Sequence, residues 1–158
     1  RIQEISIGGR LDGYTAEHVS DLNEPVVLKY EFSGPEILTP AGTLRILPAL
    51  SSLDMNAVSK PVRVYPIEYE MLDLKSVQTR IAFPSGFRIQ YLPAPVREEN
   101  KWMKFDSGYS SGDNVIVFRQ TVELKQRVIP IEEYAAYKEF LERLGKQVKQ
   151  RVVLERKK

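Results

Sequence analysis

"NKWMKFDSGYSSGDNVIVFRQTVEL" (residues 100–124) contains two runs of alternating polar and apolar side chains, 100–107 and 114–124, around a centre of Ser, Gly, Asp and Asn. A period of two puts successive side chains on opposite faces of a strand, and "SSGDN" (110–114) has the residue types that a tight hairpin needs. The stretch therefore predicts two long antiparallel strands. In the first run Trp102, Lys104 and Asp106 fall on one face and Met103 and Phe105 on the other, so this phase points Trp102 toward solvent.

The same pattern recurs on both sides. In "VVLKYEFS" (26–33), Leu28, Tyr30 and Phe32 alternate with Lys29 and Glu31, as in a half-buried strand. "TLRIL" (43–47), "VRVYPIEYE" (62–70), "SVQTRIAF" (76–83), "FRIQYL" (87–92) and "RVVLE" (151–155) repeat it, and with the opening "RIQEISI" the count reaches about nine strands. Pro61 and Pro66 put the 62–70 run at a sheet edge or a bulge, since proline cannot donate to a ladder. "FPSGF" predicts a tight reversal between two strands, with Gly86 at positive φ. Many short strands without alternating helices predict an all-β fold, an antiparallel β-sandwich. The stretch 51–61 does not alternate and is either a crossover loop or a sub-boundary within a single domain spanning 1–158.

One segment breaks the rule. In "VIPIEEYAAYKEFLERLG" (128–145) and the residues after it, Tyr134, Tyr137, Leu141, Leu144 and Val148 step by three and four, with Ile131, Ala135 and Phe140 widening the stripe. This predicts one C-terminal α-helix over about 131–150. Pro130 suits its start; Glu132 and Glu133, then Lys146 and Lys149, complement its dipole. Five or six such side chains represent on the order of 10 kcal/mol of burial before ordering costs, so the helix is expected to pack on the sandwich.

Bulk composition narrows the function classes. The 158 residues are long enough for a core without staples, and no cysteine is present for a disulfide, a thiolate nucleophile or a cysteine zinc site. No apolar run of about eighteen residues occurs, which points to a soluble chain with no membrane insertion. The net charge of +2 is uneven, with ten Lys or Arg against five Asp or Glu in 125–158. Glu139 and Glu142 interleave with the basic residues and blunt any single-sign field, so no nucleic-acid partner is expected. The chain opens on Arg1, without an initiator Met or signal peptide, as a piece of a longer protein would.

Individual residues carry little chemistry. His18 stands near Glu17 and Asp21 without a nucleophile, Ser85 lies in "PSG" without the strand-to-helix context of a nucleophile elbow, and "GGRLDG" is not a nucleotide loop. Asp106, Asp113 and Asn114 are too few and too widely spaced for a calcium loop. No catalytic, cofactor or metal residue is assigned. The remaining candidate is an aromatic platform of Trp102, Tyr91 and Tyr109 for a sugar or peptide, weighed against a core or inter-domain role for the tryptophan.

The order of segments carries a resemblance. "DLNEPVVLKYEFSGPE" precedes "LRILP", "KPVRVYPIEYE", "IAFPSGFRIQYLP", "IVFRQTVEL", "IPIEEYAAYKEFLERL" and "VVLERK". This succession resembles the C-terminal β-sandwich region of bacterial transglutaminase-like proteins, which flank a papain-like core with domains of unknown function. The resemblance implies that a Cys-His-Asp catalytic core would lie upstream of Arg1. It also implies that this chain, with one His and no Cys, is a non-catalytic accessory module rather than an enzyme. Implied partners are that upstream domain and a protein or peptide substrate, and the implied location is the periplasm or cell envelope. The alternative is a stand-alone carbohydrate- or protein-binding sandwich.

Overall fold

The computed structural model describes residues 9–34, 37–51 and 53–157; the expected opening strand, 1–7, lies outside them. The chain is mostly β, with antiparallel sheets and a C-terminal helix, in agreement with the alternation. Twelve strands occur among the described residues, against about nine expected: β1 (Arg10–Glu17), β2 (Val27–Ser33), β3 (Thr39–Ala41), β4 (Leu44–Ile46), β5 (Ile67–Glu68), β6 (Leu74–Ala82), β7 (Phe87–Tyr91), β8 (Val96–Glu99), β9 (Met103–Gly112), β10 (Val115–Leu124), β11 (Val128–Ile129) and β12 (Val153–Arg156). A 3-10 turn, Ile131–Glu133, leads into the helix α1 (Tyr134–Gln147). Of the strands that alternation failed to announce, β3, β8 and β11 have only two to four residues, whereas β1 has eight.

Two four-stranded sheets form the sandwich, one ordered β6-β10-β9-β8 and the other β3-β4-β12-β7, with two-stranded ribbons β1-β2 and β11-β5. The β9–β10 ladder is the longest, running unbroken from Val115 opposite Gly112 to Leu124 opposite Met103. Its tip is Asp113 and Asn114, both at positive φ (45° and 59°), the requirement of the mirror-image turn whose twist matches that of the flanking strands. The hairpin signal thus acts through a defined backbone geometry. "FPSGF" behaves differently. The Phe87 N–H bonds to the Pro84 carbonyl at 3.1 Å, but β6 and β7 belong to different sheets and Gly86 is not at positive φ. That turn carries the chain between layers rather than closing a hairpin.

Facing residues on the inner side of β9 and β10 divide the core. At one end Met103 and Phe105 join Trp102, Ile67, Ile129 and the helix residues Tyr134, Tyr137, Phe140, Leu141 and Leu144. At the other, Ile116 joins Ile81, Phe83, Leu47, Val152 and Leu154, where the two large sheets meet. Between them Ser107 and Gln120 stand directly opposite each other, both buried, and the Ser51 hydroxyl donates to Gln120 Oε1 at 2.6 Å. A buried amide needs such partners, so this polar seam ties the start of the 51–61 stretch to the sheet. Farther along that stretch a 3-10 turn, Asn56–Val58, buries Val58 in the helix-packed core.

The helix stripe is buried at Tyr134, Tyr137, Phe140, Leu141 and Leu144, as its spacing predicts. Three side chains depart from it: Ile131 and Ala135 are exposed and Val148 is half-buried. Ile131 belongs to the 3-10 turn, whose residues have a different angular spacing, so the α-helical wheel does not extend to it. The 62–70 run also departs, since only Ile67–Glu68 is a strand while Val62, Val64 and Tyr65 are exposed. Pro61 and Pro66 deny ladder donors where alternation alone reads strand.

Candidate interaction surfaces

Trp102 faces the core, with only 8% of its surface exposed, against the phase expected from alternation. The cause is local. The Asn100 side-chain oxygen accepts the N–H groups of both Trp102 (2.9 Å) and Met103 (3.0 Å), and Asn100 N–H bonds to the Met103 carbonyl. This turn starts the strand at Met103, so the alternation of β9 does not reach Trp102. Its ring packs edge-on against Tyr137 at 5.3 Å and beside Phe140 at 6.0 Å. The indole N–H donates to Glu133 Oε2 at 2.7 Å, while Glu133 Oε1 pairs with Lys101 at 2.7 Å. Those two partners, Lys101 first, hold the Glu133 carboxyl below the usual carboxylate range. The acid expected to serve the helix dipole thus also anchors the only tryptophan.

Tyr109 and Tyr91 lie elsewhere. Tyr109 packs on Phe118 at 4.9 Å next to the sheet–sheet core, and burial pushes its hydroxyl up. Tyr91 is 45% exposed on β7, with its hydroxyl donating to Gln150 at 2.7 Å. Among the described residues no ring contact joins any two of Trp102, Tyr91 and Tyr109. His18 is an exposed loop residue whose Nδ1 donates to the Pro25 carbonyl at 3.1 Å, and Ser85 sits in the interlayer turn. Asp106 pairs with Arg97 at 3.1 Å, whereas Asp113 and Asn114 form the hairpin tip. No group of three His, Cys, Asp or Glu that could hold a metal occurs among the described residues.

Three surfaces stand out instead. In the β1–β2 ribbon Tyr14 is opposite Tyr30, Ala16 opposite Leu28 and Leu11 opposite Phe32, so all six share one face. Tyr14 is 70% and Leu28 60% exposed, and Tyr30 stacks on Phe32 at 6.1 Å. The Lys29–Glu17 pair at 2.6 Å belongs to the edge and reverse of the ribbon. The alternation of 26–33 predicts this face, but no layer of the described fold covers it. A second exposed apolar set, Val62, Val64, Tyr65, Met71, Leu72 and Leu74, flanks β5.

The third surface is a groove of about 290 Å³ lined by Ala94, Pro95, Val96, Arg97, Glu98, Gln147 and Gln150. It lies between β8, the outer strand of its sheet, and the C-terminal end of α1. Sequence reading missed β8; the signal available was the pair Pro93 and Pro95 leading into "VREE", a common dress for an edge strand.

Known proteins bear on this chain in two ways. A structure of a "putative protease" from Parabacteroides distasonis ATCC 8503 aligns with a TM-score of 0.54 at 16% identity, over 71% of this chain and 23% of that one. The likeness concerns the fold, and the chain spans about a quarter of that larger protein. No curated protein matches the sequence. The model of a family described as a domain of unknown function with a solved structure, DUF3858, matches residues 43–154, most of the sandwich together with the helix and the start of the closing strand, and the chain therefore belongs to that family.

Proposed function

We propose that this domain is a non-catalytic accessory module of a multidomain bacterial transglutaminase-like protein, packing on and orienting a papain-like core in the cell envelope. The observation that carries the reading is the β1–β2 face. A two-stranded ribbon is marginal in water on its own, and this one shows Tyr14, Leu28, Leu11 and Tyr30 to solvent. Such a face gains stability when another layer covers it. The ribbon precedes the residues matched by the family model, on the side where the sequence resemblance puts the catalytic core. Alignment with a small share of a larger chain supports a neighbour within the same polypeptide.

The experiment compares amide hydrogen exchange of residues 10–33 in this 158-residue chain and in the longer parent protein. Protection of the ribbon is expected to rise in the parent, and the pair Tyr14→Lys with Leu28→Lys to abolish the gain. Both side chains are exposed, so these changes leave this chain's own stability within about 0.5 kcal/mol. Equal exchange in the two settings, or a parent without a Cys-His-Asp core, refutes the assignment.

A further inference from the structure

We propose that β8 is an acceptor edge, and that the groove between it and the end of α1 receives a short, uncharged polypeptide segment in extended conformation, added as a fifth strand. The groove is separate from the β1–β2 ribbon, and the proposal does not depend on the packing inferred for that ribbon. Three observations converge on it. β8 ends the order β6-β10-β9-β8, so every second residue of Val96–Glu99 turns its backbone N–H and C=O away from β9. These groups are what an incoming strand pairs with. Four residues at about 3.4 Å each give a contact roughly 13 Å long, enough for a segment of four to five residues.

The second observation is an acceptor without a donor. Gln147 Oε1, on the helix side of the groove, is buried and makes no hydrogen bond. Burying an amide oxygen unpaired is unfavourable, and the terminal torsion of glutamine is soft, so a small rotation offers the oxygen to an N–H arriving in the groove. Gln150 also lines the groove; its oxygen is taken by the Tyr91 hydroxyl, and its NH₂ group is the part of the amide that can donate to an incoming carbonyl.

Charge selects the occupant. Arg97 is paired with Asp106 at 3.1 Å and Glu98 with Arg143 at 3.5 Å, so both ionic side chains of the groove are neutralised from within the fold. What remains is amide groups and the hydrocarbon of Ala94, Pro95 and Val96. This complements a neutral backbone with small side chains, and a charged segment gains no free counter-ion here.

The test is selection of a phage-displayed random octapeptide library on the full 158-residue chain, followed by NMR titration with the enriched peptides synthesised free. Enriched sequences are expected to be uncharged, with shifts confined to 94–99 and 147–150 and with new exchange protection at β8 amides that point away from β9. Gln147→Leu is expected to weaken binding about two- to tenfold, the value of one hydrogen bond. A control independent of protein folding uses the same peptide N-methylated at alternate residues, where one of the two methylation patterns should lose binding and the other keep it. No enrichment, shifts that map to 10–33, or equal binding by both methylated forms overturns the proposal.

Discussion

Replacing Tyr137 with Phe removes one oxygen from the least exposed ring of the helix and should change stability in opposite directions at neutral and alkaline pH. Tyr137 is fully buried, and its hydroxyl shares a 2.7 Å hydrogen bond with that of Tyr69. Losing this bond costs about 1 kcal/mol near pH 7, a fall of roughly 2–4 °C in Tm for a domain of this size. At high pH the sign turns. Burial, then the hydrogen bond that its O–H donates to the Tyr69 oxygen, pushes the Tyr137 hydroxyl far above the ordinary tyrosine range. A group whose folded pKa exceeds its unfolded value supports the fold fully below the unfolded value, near 10, and loses that support as pH rises. With the folded hydroxyl still protonated, unfolding gains about 2 kcal/mol by pH 11.5 from this one proton. The Phe variant lacks that loss. Its stability should therefore cross that of the wild type a little above pH 10.5 and exceed it by about 1 kcal/mol at pH 11.5. Urea unfolding followed by far-ultraviolet circular dichroism at pH 7, 10 and 11.5 measures the difference. A gap that stays constant or widens through pH 11.5 refutes the burial argument.

Two other outcomes follow from local geometry. Asn114→Val forces a β-branched residue to hold φ near 59°, and should cost about 1–2 kcal/mol in chemical denaturation while Asn114→Gly costs nothing or stabilises. Glu133 has its pKa lowered by Lys101 and Trp102, so its contribution is present above the unfolded value, about 4.3, and vanishes as pH falls through the lower folded value. Glu133→Gln should accordingly melt below the wild type at pH 7, with the two melting curves converging below about pH 4; a gap unchanged at pH 3 would contradict the pairing.

Legibility in the sequence depended on how local the cause was. The β9–β10 hairpin was legible because Asp113 and Asn114 tolerate the positive φ that the turn needs, and the helix because Tyr134, Tyr137, Leu141 and Leu144 repeat at its period. The strand phase at Trp102 misleads, although a core role for that residue was the other reading, because a single side chain, Asn100, moves the strand start by bonding two successive N–H groups. In the 62–70 run, two prolines outweighed a clean alternation. Of the candidate surfaces, the apolar face of the ribbon was visible in 26–33, but the groove was not, because β8 is four residues long and its partner wall, Gln147 and Gln150, lies some fifty residues away along the chain.

From sequence alone come the all-β class, the single late helix and its buried stripe, and the absence of cysteine chemistry, because periodicity and composition are carried by neighbouring residues. Tertiary structure decided which apolar faces are covered and which are left open. An alternating strand presents one apolar face whether or not another layer reaches it, so Met103 and Phe105 are buried while Tyr14 and Leu28 are exposed. The difference lies in what packs against each strand, and that is set by contacts between segments distant in the chain.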